Sequence, residues 1–492
     1  MKSSAWGRQS TKVGEWFAKF ASQLCIIVTV LIALLVGVVS GLFGPYTLAI
    51  VIGVLIMAVI IILRQNELAA AVILAVHLNI DWYLGFRVIS LAIAFILLCS
   101  CYIDQSPLHP WVRPRSLWLW LLFLGLTIIP AVRGATDLYD TLFYYPNLIF
   151  GALLMFWMGI IIARSPESMR LFFRIFSFYC MLVALHTIIQ SSTGIFLFSS
   201  ARIDMNIAQA ANNHLPGMPN VSRVGSFLID PDWAGTFFAM TLFIPLGLLV
   251  ESSSMLAKGL YLTEAILITL ALLLTYSTGS WLAASVAAVI FLVLLRGIGY
   301  RVQFLLCVSV ATMVVFIGFF SHFNLLLQHS LDPMGLSVRT GAWQTALSVI
   351  SAYPLTGVGL GEQSYLVASA PYMAPAQLIP LAHPHNSYLE WAAMAGLPVL
   401  IVFVVILLFN MRWALYNWVL SNRRNSCLFA AGLAVIITLS FNSLSVNAWT
   451  FPPLSAIGWM IFGMLSSPLL MKSQVGQITK AKHKNPRFAH LK

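Results

Sequence analysis

Charge is what this 492-residue sequence has least of: Asp, Glu, Lys and Arg make up 9% of it, and only 15 residues are acidic. An average soluble domain is about 25% charged, so a soluble globular protein is excluded. Cysteine is scarce too. Cys25, Cys99, Cys101, Cys180, Cys307 and Cys427 all fall in or beside apolar runs, where a thiol packs as a small hydrophobe. They form neither a disulfide framework nor a zinc motif. Internal repeats and low-complexity segments are absent as well.

What is present is apolar: 60% of the residues are hydrophobic and the mean hydropathy is +0.91. Crossing a hydrocarbon core about 30 Å thick takes about 20 such residues in a helix. Suitable runs predict spans near 24–43, 46–63, 67–80, 86–102, 116–132, 146–164, 171–190, 233–250, 259–275, 281–296, 302–320, 386–410, 427–445 and 453–471. The expectation is an all-α integral membrane protein of about fourteen transmembrane helices. The third run is short, interrupted by Asn79, Asp81 and Trp82. Leu24 to Phe43 has full spanning length and no small-residue cleavage site, so it reads as a helix and not a removable signal.

The net charge of +12 is distributed as flanks of apolar runs, with one cluster from Lys472 to Lys492. That pattern describes topology and not a nucleic-acid footprint. Of the 27 Lys and Arg residues, five (Arg87, Arg133, Arg202, Arg223 and Arg339) fall on one side of the predicted spans, leaving 22 on the other. The positive-inside rule makes the richer side, and both termini, cytoplasmic. The chain then divides into a cytoplasmic N-terminus (1–23), N-terminal helices (24–190), a transmembrane core (191–471) and a basic tail (472–492).

Two outer segments, 191–232 and 321–385, exceed ordinary connection length. In the second, Ser337 is placed to cap a helix over Val338 to Tyr353, ended by Pro354 and the run Gly357-Val358-Gly359-Leu360-Gly361. Its positions Val338, Ala342, Trp343, Ala346, Ile350 and Tyr353 predict a helix lying along the membrane interface. The glycine run follows a helix, not a strand, so it is no dinucleotide fingerprint.

The chemistry-bearing residues gather on the outer side. In His383-Pro384-His385-Asn386-Ser387-Tyr388-Leu389-Glu390-Trp391, Pro384 suits a first helical position and puts His385 in the first turn. A helix N-terminus disfavours an imidazolium, so a neutral imidazole there can take a proton from a hydroxyl. The alternative is that His385 and Asn386 only satisfy orphan backbone groups. A metal reading of His383 and His385 lacks a third ligand nearby.

Arg223 and Arg339 stand in the two long segments, and a guanidinium fork suits phosphate or carboxylate; pairing with a nearby acid is the plainer reading. Arg202 with Asp204, Arg133 with Asp137 and Asp140, and Arg87 with Asp81 read as local pairs. Asp230-Pro231-Asp232 reads either as a metal-holding Asp-x-Asp pair or as helix-start grammar, with Asp230 as N-cap. Glu390 is an intramembrane acid facing away from His385, Glu264 is within reach of the cytoplasmic interface, and His77 and His186 read as bundle histidines.

Four pieces in order resemble the O-antigen ligase and O-antigen polymerase family of bacterial membrane glycosyltransferases. They are Arg223 with Gly225-Ser226-Phe227 and Asp230-Pro231; Thr275-Tyr276-Ser277-Thr278-Gly279-Ser280; Arg339 and Trp343 followed by Tyr353 to Gly359; and His385 to Leu389 followed by Gly396-Leu397-Pro398. The resemblance implies a glycosyltransferase C-type membrane fold acting on glycans carried by undecaprenyl diphosphate, with a glycan or lipid acceptor. It implies that His385 activates the acceptor hydroxyl and that Arg223 and Arg339 hold the diphosphate. Asp230, Asp232, Trp343, His383, Asn386 and Glu390 then support them, without a metal or other cofactor and with inversion at the anomeric carbon. One departure is the hairpin Ser277-Thr278-Gly279-Ser280-Trp281, where the family often has an arginine. A transporter or lipid flippase is the alternative; it calls for two related halves, which the sequence does not show.

Overall fold

A computed structural model describes residues 60, 65–79, 91–99, 112–133, 145–193, 214–215, 218–228, 230–319, 333–377, 379–471 and 473. These are helical apart from connections and one short antiparallel pair, β1 (His214–Leu215) with β2 (Met218–Ser222). The helices are α1 (Asn66–Asn79), α2 (Leu117–Arg133), α3 (Gly151–Ile162, entered through a π turn), α4 (Pro166–Thr193), α5 (Pro231–Thr241), α6 (Phe243–Glu251), α7 (Met255–Leu274) and α8 (Thr278–Leu294). After them come α9 (Ile298–Phe319), α10 (Pro333–Ala352), α11 (Glu362–Ser369), α12 (Ser387–Ala395), α13 (Leu397–Leu420), α14 (Ser426–Asn442) and α15 (Pro452–Leu465). Residues 91–99 are also helical.

The protein is an α-helical integral membrane protein. Among the described residues five helical stretches are long and apolar enough to cross a membrane, namely Pro166–Thr193, Pro231–Glu251, Met255–Leu274, Leu397–Leu420 and Pro452–Met471. Five shorter apolar helices accompany them. The count of about fourteen spans is not supported; 24–43 and nearly all of 46–63 lie outside the described residues, as do Arg87, Arg202 and the tail from 474.

Three expectations need correction. The run 386–410 is not one helix: it breaks at Gly396 into α12 and α13, with Pro398 in the first turn of α13. Helix α10 begins at Pro333, so Ser337 lies within it and does not cap it. Of the apolar positions expected to face the interface, Ala342 and Ala346 are buried with Val349, while Tyr353 is 43% exposed. Ala342 and Ala346 therefore serve packing within the protein.

Backbone chemistry accounts for the breaks. The stretch 231–251 is jointed at Leu242, where Pro245 has no N–H to offer the Thr241 carbonyl. The Gly396 break is stabilised from the side. Val358 and Gly359 donate their N–H groups to the carbonyls of Ala393 and Met394 at 2.9 and 3.0 Å, and Leu397 donates to Pro354 at 2.8 Å. The glycine-rich stretch therefore straps the C-terminus of α12, whose orphan carbonyls would otherwise be stranded.

Packing relies on small residues and aromatic side chains. A Cβ on Gly159 or Gly463 would strike the backbone of Met460 or Phe156, so α3 and α15 touch nearly backbone to backbone, as helices in lipid do. Around them Trp120, Trp449, Trp459, Phe156 and Phe403 interlock, with Trp120 and Trp459 edge to face at 4.8 Å. At one end of the bundle, Glu251 is 2% exposed and accepts from Arg170 at 2.6 Å and Arg424 at 3.0 Å. Arg170 also donates to Asn425 at 3.0 Å. This cluster ties the ends of α4, α6 and α14 together.

Candidate active site

The site lies at the opposite end of these helices, where segment 223–232, the α7–α8 hairpin, α10 and the start of α12 meet. Segment 223–228 is anchored by the Val224 N–H on the Leu274 carbonyl at 3.4 Å and makes one 3-10 turn over Ser226–Leu228. Asp230 is extended, and its Oδ1 accepts the N–H groups of Asp232 and Trp233 at 2.7 and 3.2 Å, with Pro231 in the first position. The capping reading of Asp230 is thus observed. Burial, then the neighbouring Asp232, pushes its carboxyl up to about 6, with Arg223 opposing.

Asp232 does more than complement a helix end. Its Oδ1 takes Arg223 Nη2 at 2.6 Å and its Oδ2 takes Arg339 Nη2 at 2.9 Å. The two arginines singled out in the sequence are therefore brought together, one guanidinium per carboxylate oxygen, across 107 residues of chain in the case of Arg339. Arg223 is held a second time by its Nε on the Thr275 carbonyl at 3.1 Å.

A set of buried polar residues lies beneath this pair. The Ser277 hydroxyl lies 2.9 Å from Ser280 Oγ. Asn442 Nδ2 donates to Ser280 Oγ at 3.0 Å and to Thr236 Oγ1 at 2.6 Å, and the Thr236 hydroxyl donates to the Asp232 carbonyl at 2.7 Å. The chain of bonds ends on the Asp232 backbone carbonyl. Trp233 adds a bond from Nε1 to Asn447 Oδ1 at 2.7 Å and stacks on Phe451 at 3.8 Å. Asn442, Thr236 and Asn447 carried no local signal in the sequence, because single polar residues inside apolar runs look alike until the helices pack.

The histidine pair departs from expectation in detail. The helix starts at Ser387 and not at Pro384, with Asn386 as its N-cap: the Asn386 Oδ1 accepts the N–H groups of Tyr388 and Leu389 at 2.9 and 3.1 Å, and its Nδ2 donates to the Leu444 carbonyl at 3.0 Å. His385 lies one residue before the cap, half-buried, with φ +50. Its N–H reaches His383 Nδ1 at 3.4 Å, and the two rings sit edge to face at 4.4 Å. Burial and then the Arg339 cation lower the pKa of His385, against the field of Asp232. The causes are burial and Arg339, and not the helix N-terminus that the sequence pointed to. Burial and His385 push His383 down to about 3.

Among the described residues only Ser226, Tyr276 and His385 are non-glycine residues with positive φ. Each stands in one of the motif pieces, and such backbone costs about 1–3 kcal/mol unless the surroundings impose it. All three belong to the segments that meet at the candidate site.

The remaining candidates divide. Glu390 is fully buried and accepts the Thr450 hydroxyl at 2.6 Å. Trp343 is half-buried, and its Nε1 is enclosed without a hydrogen-bond acceptor. Glu264 does not reach an interface; it is 1% exposed and accepts the Ser177 hydroxyl at 2.5 Å. His77 and His186 are buried, and His186 stacks on Phe227 at 4.0 Å with Nδ1 3.3 Å from Ser226 Oγ. The partners proposed for Arg202, Arg87 and Arg133 lie outside the described residues. Among the described residues no group of three or more His, Cys, Asp or Glu side chains converges.

Residues 265–404 match the family model described as O-antigen ligase. The matched stretch holds Ser277, Ser280, Arg339, Trp343, His383, His385, Asn386 and Glu390, while Arg223, Asp230 and Asp232 precede it. No curated protein matches the chain.

Proposed function

We propose that this chain, whose residues 265–404 match the family model described as O-antigen ligase, transfers a glycan from undecaprenyl diphosphate to an acceptor hydroxyl on the outer face of the cytoplasmic membrane. His385 takes the proton of the acceptor hydroxyl. The acceptor oxygen then bonds to the anomeric carbon of the donor sugar as the bond to the diphosphate oxygen breaks, with inversion. Arg223 and Arg339 receive the charge that develops on the leaving diphosphate, a role in which two guanidinium forks serve without a cation. The acceptor is a sugar chain or a lipid. Both termini are cytoplasmic in this reading, with the core at 191–471 carrying the reaction.

The observation that carries it is the convergence of residues 223, 339 and 385 around Asp232. An imidazole near Arg339, which shares the Asp232 carboxylate with Arg223, supplies a base and an oxyanion clamp in one place. Purified protein in lipid, given undecaprenyl diphosphate oligosaccharide and candidate acceptors, tests it. His385→Ala and Arg339→Ala are expected to lower transfer at least about 100-fold. Undiminished transfer by His385→Ala refutes the base, strong inhibition by EDTA refutes metal independence, and lipid movement without glycan transfer indicates a flippase.

A further inference from the structure

The two arginines on Asp232 are not held alike. Arg223 has two anchors, Asp232 Oδ1 at 2.6 Å and the Thr275 carbonyl at 3.1 Å, and its side chain is 15% exposed. Arg339 is hydrogen-bonded to Asp232 Oδ2 at 2.9 Å, is 31% exposed, and comes from α10, outside the span-length helices. Asp232 is itself fixed at its backbone carbonyl by the Thr236 hydroxyl, and Thr236 is held by the Asn442–Ser280 bonds beneath it. One guanidinium is pinned to a fixed carboxylate, and the other is tethered to it by a more exposed contact.

A carboxylate that offers one oxygen to each of two guanidiniums presents what two phosphoryl oxygens would present, at lower charge. Two partly buried guanidiniums without an anion would be costly. We infer that Asp232 is an internal stand-in for the donor's diphosphate: it holds Arg339 while the site is empty, yields it to the incoming diphosphate, and takes it back as the product leaves. The inference rests on the function proposed above and deepens it, making Asp232 a positioning residue whose charge sets how tightly the clamp keeps its product. With Asp232 the clamp is one charge positive; without it, two.

The exchange has a measurable consequence. An anion binding the clamp must first break the Arg339–Asp232 contact, so its affinity is reduced by the competitor already in place. Asp232→Asn keeps the size of the side chain and removes that competing charge. The test uses full-length protein in lipid nanodiscs, with undecaprenyl diphosphate and inorganic pyrophosphate as the binding probes, alongside KM and kcat for the oligosaccharide donor. Asp232→Asn is expected to bind both probes about tenfold tighter or more, to show steeper weakening by salt, and to lower KM and kcat together because product is released slowly. Asp232→Glu, which keeps the charge, is expected to stay near the wild-type affinity.

Asp232→Asn binding no tighter than wild type, or a rise in KM with a fall in kcat, overturns the inference and leaves Asp232 a structural support. If Asp232→Asn fails to fold, Asp232→Ser removes the same charge with a smaller side chain. It is expected to tighten probe binding about tenfold as well, and an unchanged affinity is equally fatal. Wild-type protein that binds neither probe overturns the proposed function itself, and the inference with it. Wild-type binding with no tightening in the variants overturns the inference alone.

Discussion

Gly396→Ala tests the link between the strap and the site. Gly396 has φ +89 and ψ 164, a region open to glycine and costing another residue about 1–3 kcal/mol. A Cβ there would lie 2.6 Å from the carbonyl carbon of Leu355 and 3.0 Å from the Thr356 nitrogen, all backbone that cannot rotate aside. Relief requires the strap to move away, which stretches the bonds from Val358 and Gly359 to Ala393 and Met394. At about 0.5–1.5 kcal/mol each, these bring the expected destabilisation to about 2–6 kcal/mol. Because α12 carries Asn386 at its other end and His385 just before it, transfer should fall as well. The assay is thermal unfolding in detergent with transfer activity in parallel. Gly125→Ala, where a Cβ would meet nothing within 4 Å, is the control expected to be neutral or slightly stabilising. A Gly396→Ala protein as stable as wild type would refute the account of the α12–α13 break.

Two further outcomes are expected. The lowered pKa of His385 places the acid limb of kcat/KM below about 6.5, with activity lost as pH falls and the imidazole gains a proton. Arg339→Gln should move that limb up and Asp232→Asn should move it down, read from residual transfer across pH; shifts of the same sign would refute the assignment. Glu251→Ala leaves Arg170 and Arg424 without their carboxylate and should cost about 3–5 kcal/mol of stability, less a discount for the 57% exposed Arg424. The donor KM should hardly change, and a large KM effect would connect this cluster to the site.

The helical spans were readable wherever period and apolar content act locally, as in α4, α7 and α14. The motif pieces were readable too, since Asp230 caps the helix that follows it and Asn386 caps its own. The errors arose where a local signal had a distant partner. Pro384 looked like a helix start because nothing in the sequence indicates that Asn386 can bond the Leu444 carbonyl. The stripe on α10 looked lipid-facing because the sequence does not show what packs against Ala342 and Ala346.

By itself the sequence determined that the chain is a helical membrane protein, since the cost of exposing so much apolar side chain to water depends on composition alone. It also singled out Arg223, Arg339 and His385 as candidate site residues. Tertiary structure alone decided that Arg223 and Arg339 share one carboxylate, that linked hydroxyls and an amide hold the backbone of that aspartate, and that a helix breaks at Gly396 under a strap from 354–359. Hydrogen bonds and ion pairs act over about 3 Å in space and are blind to distance along the chain.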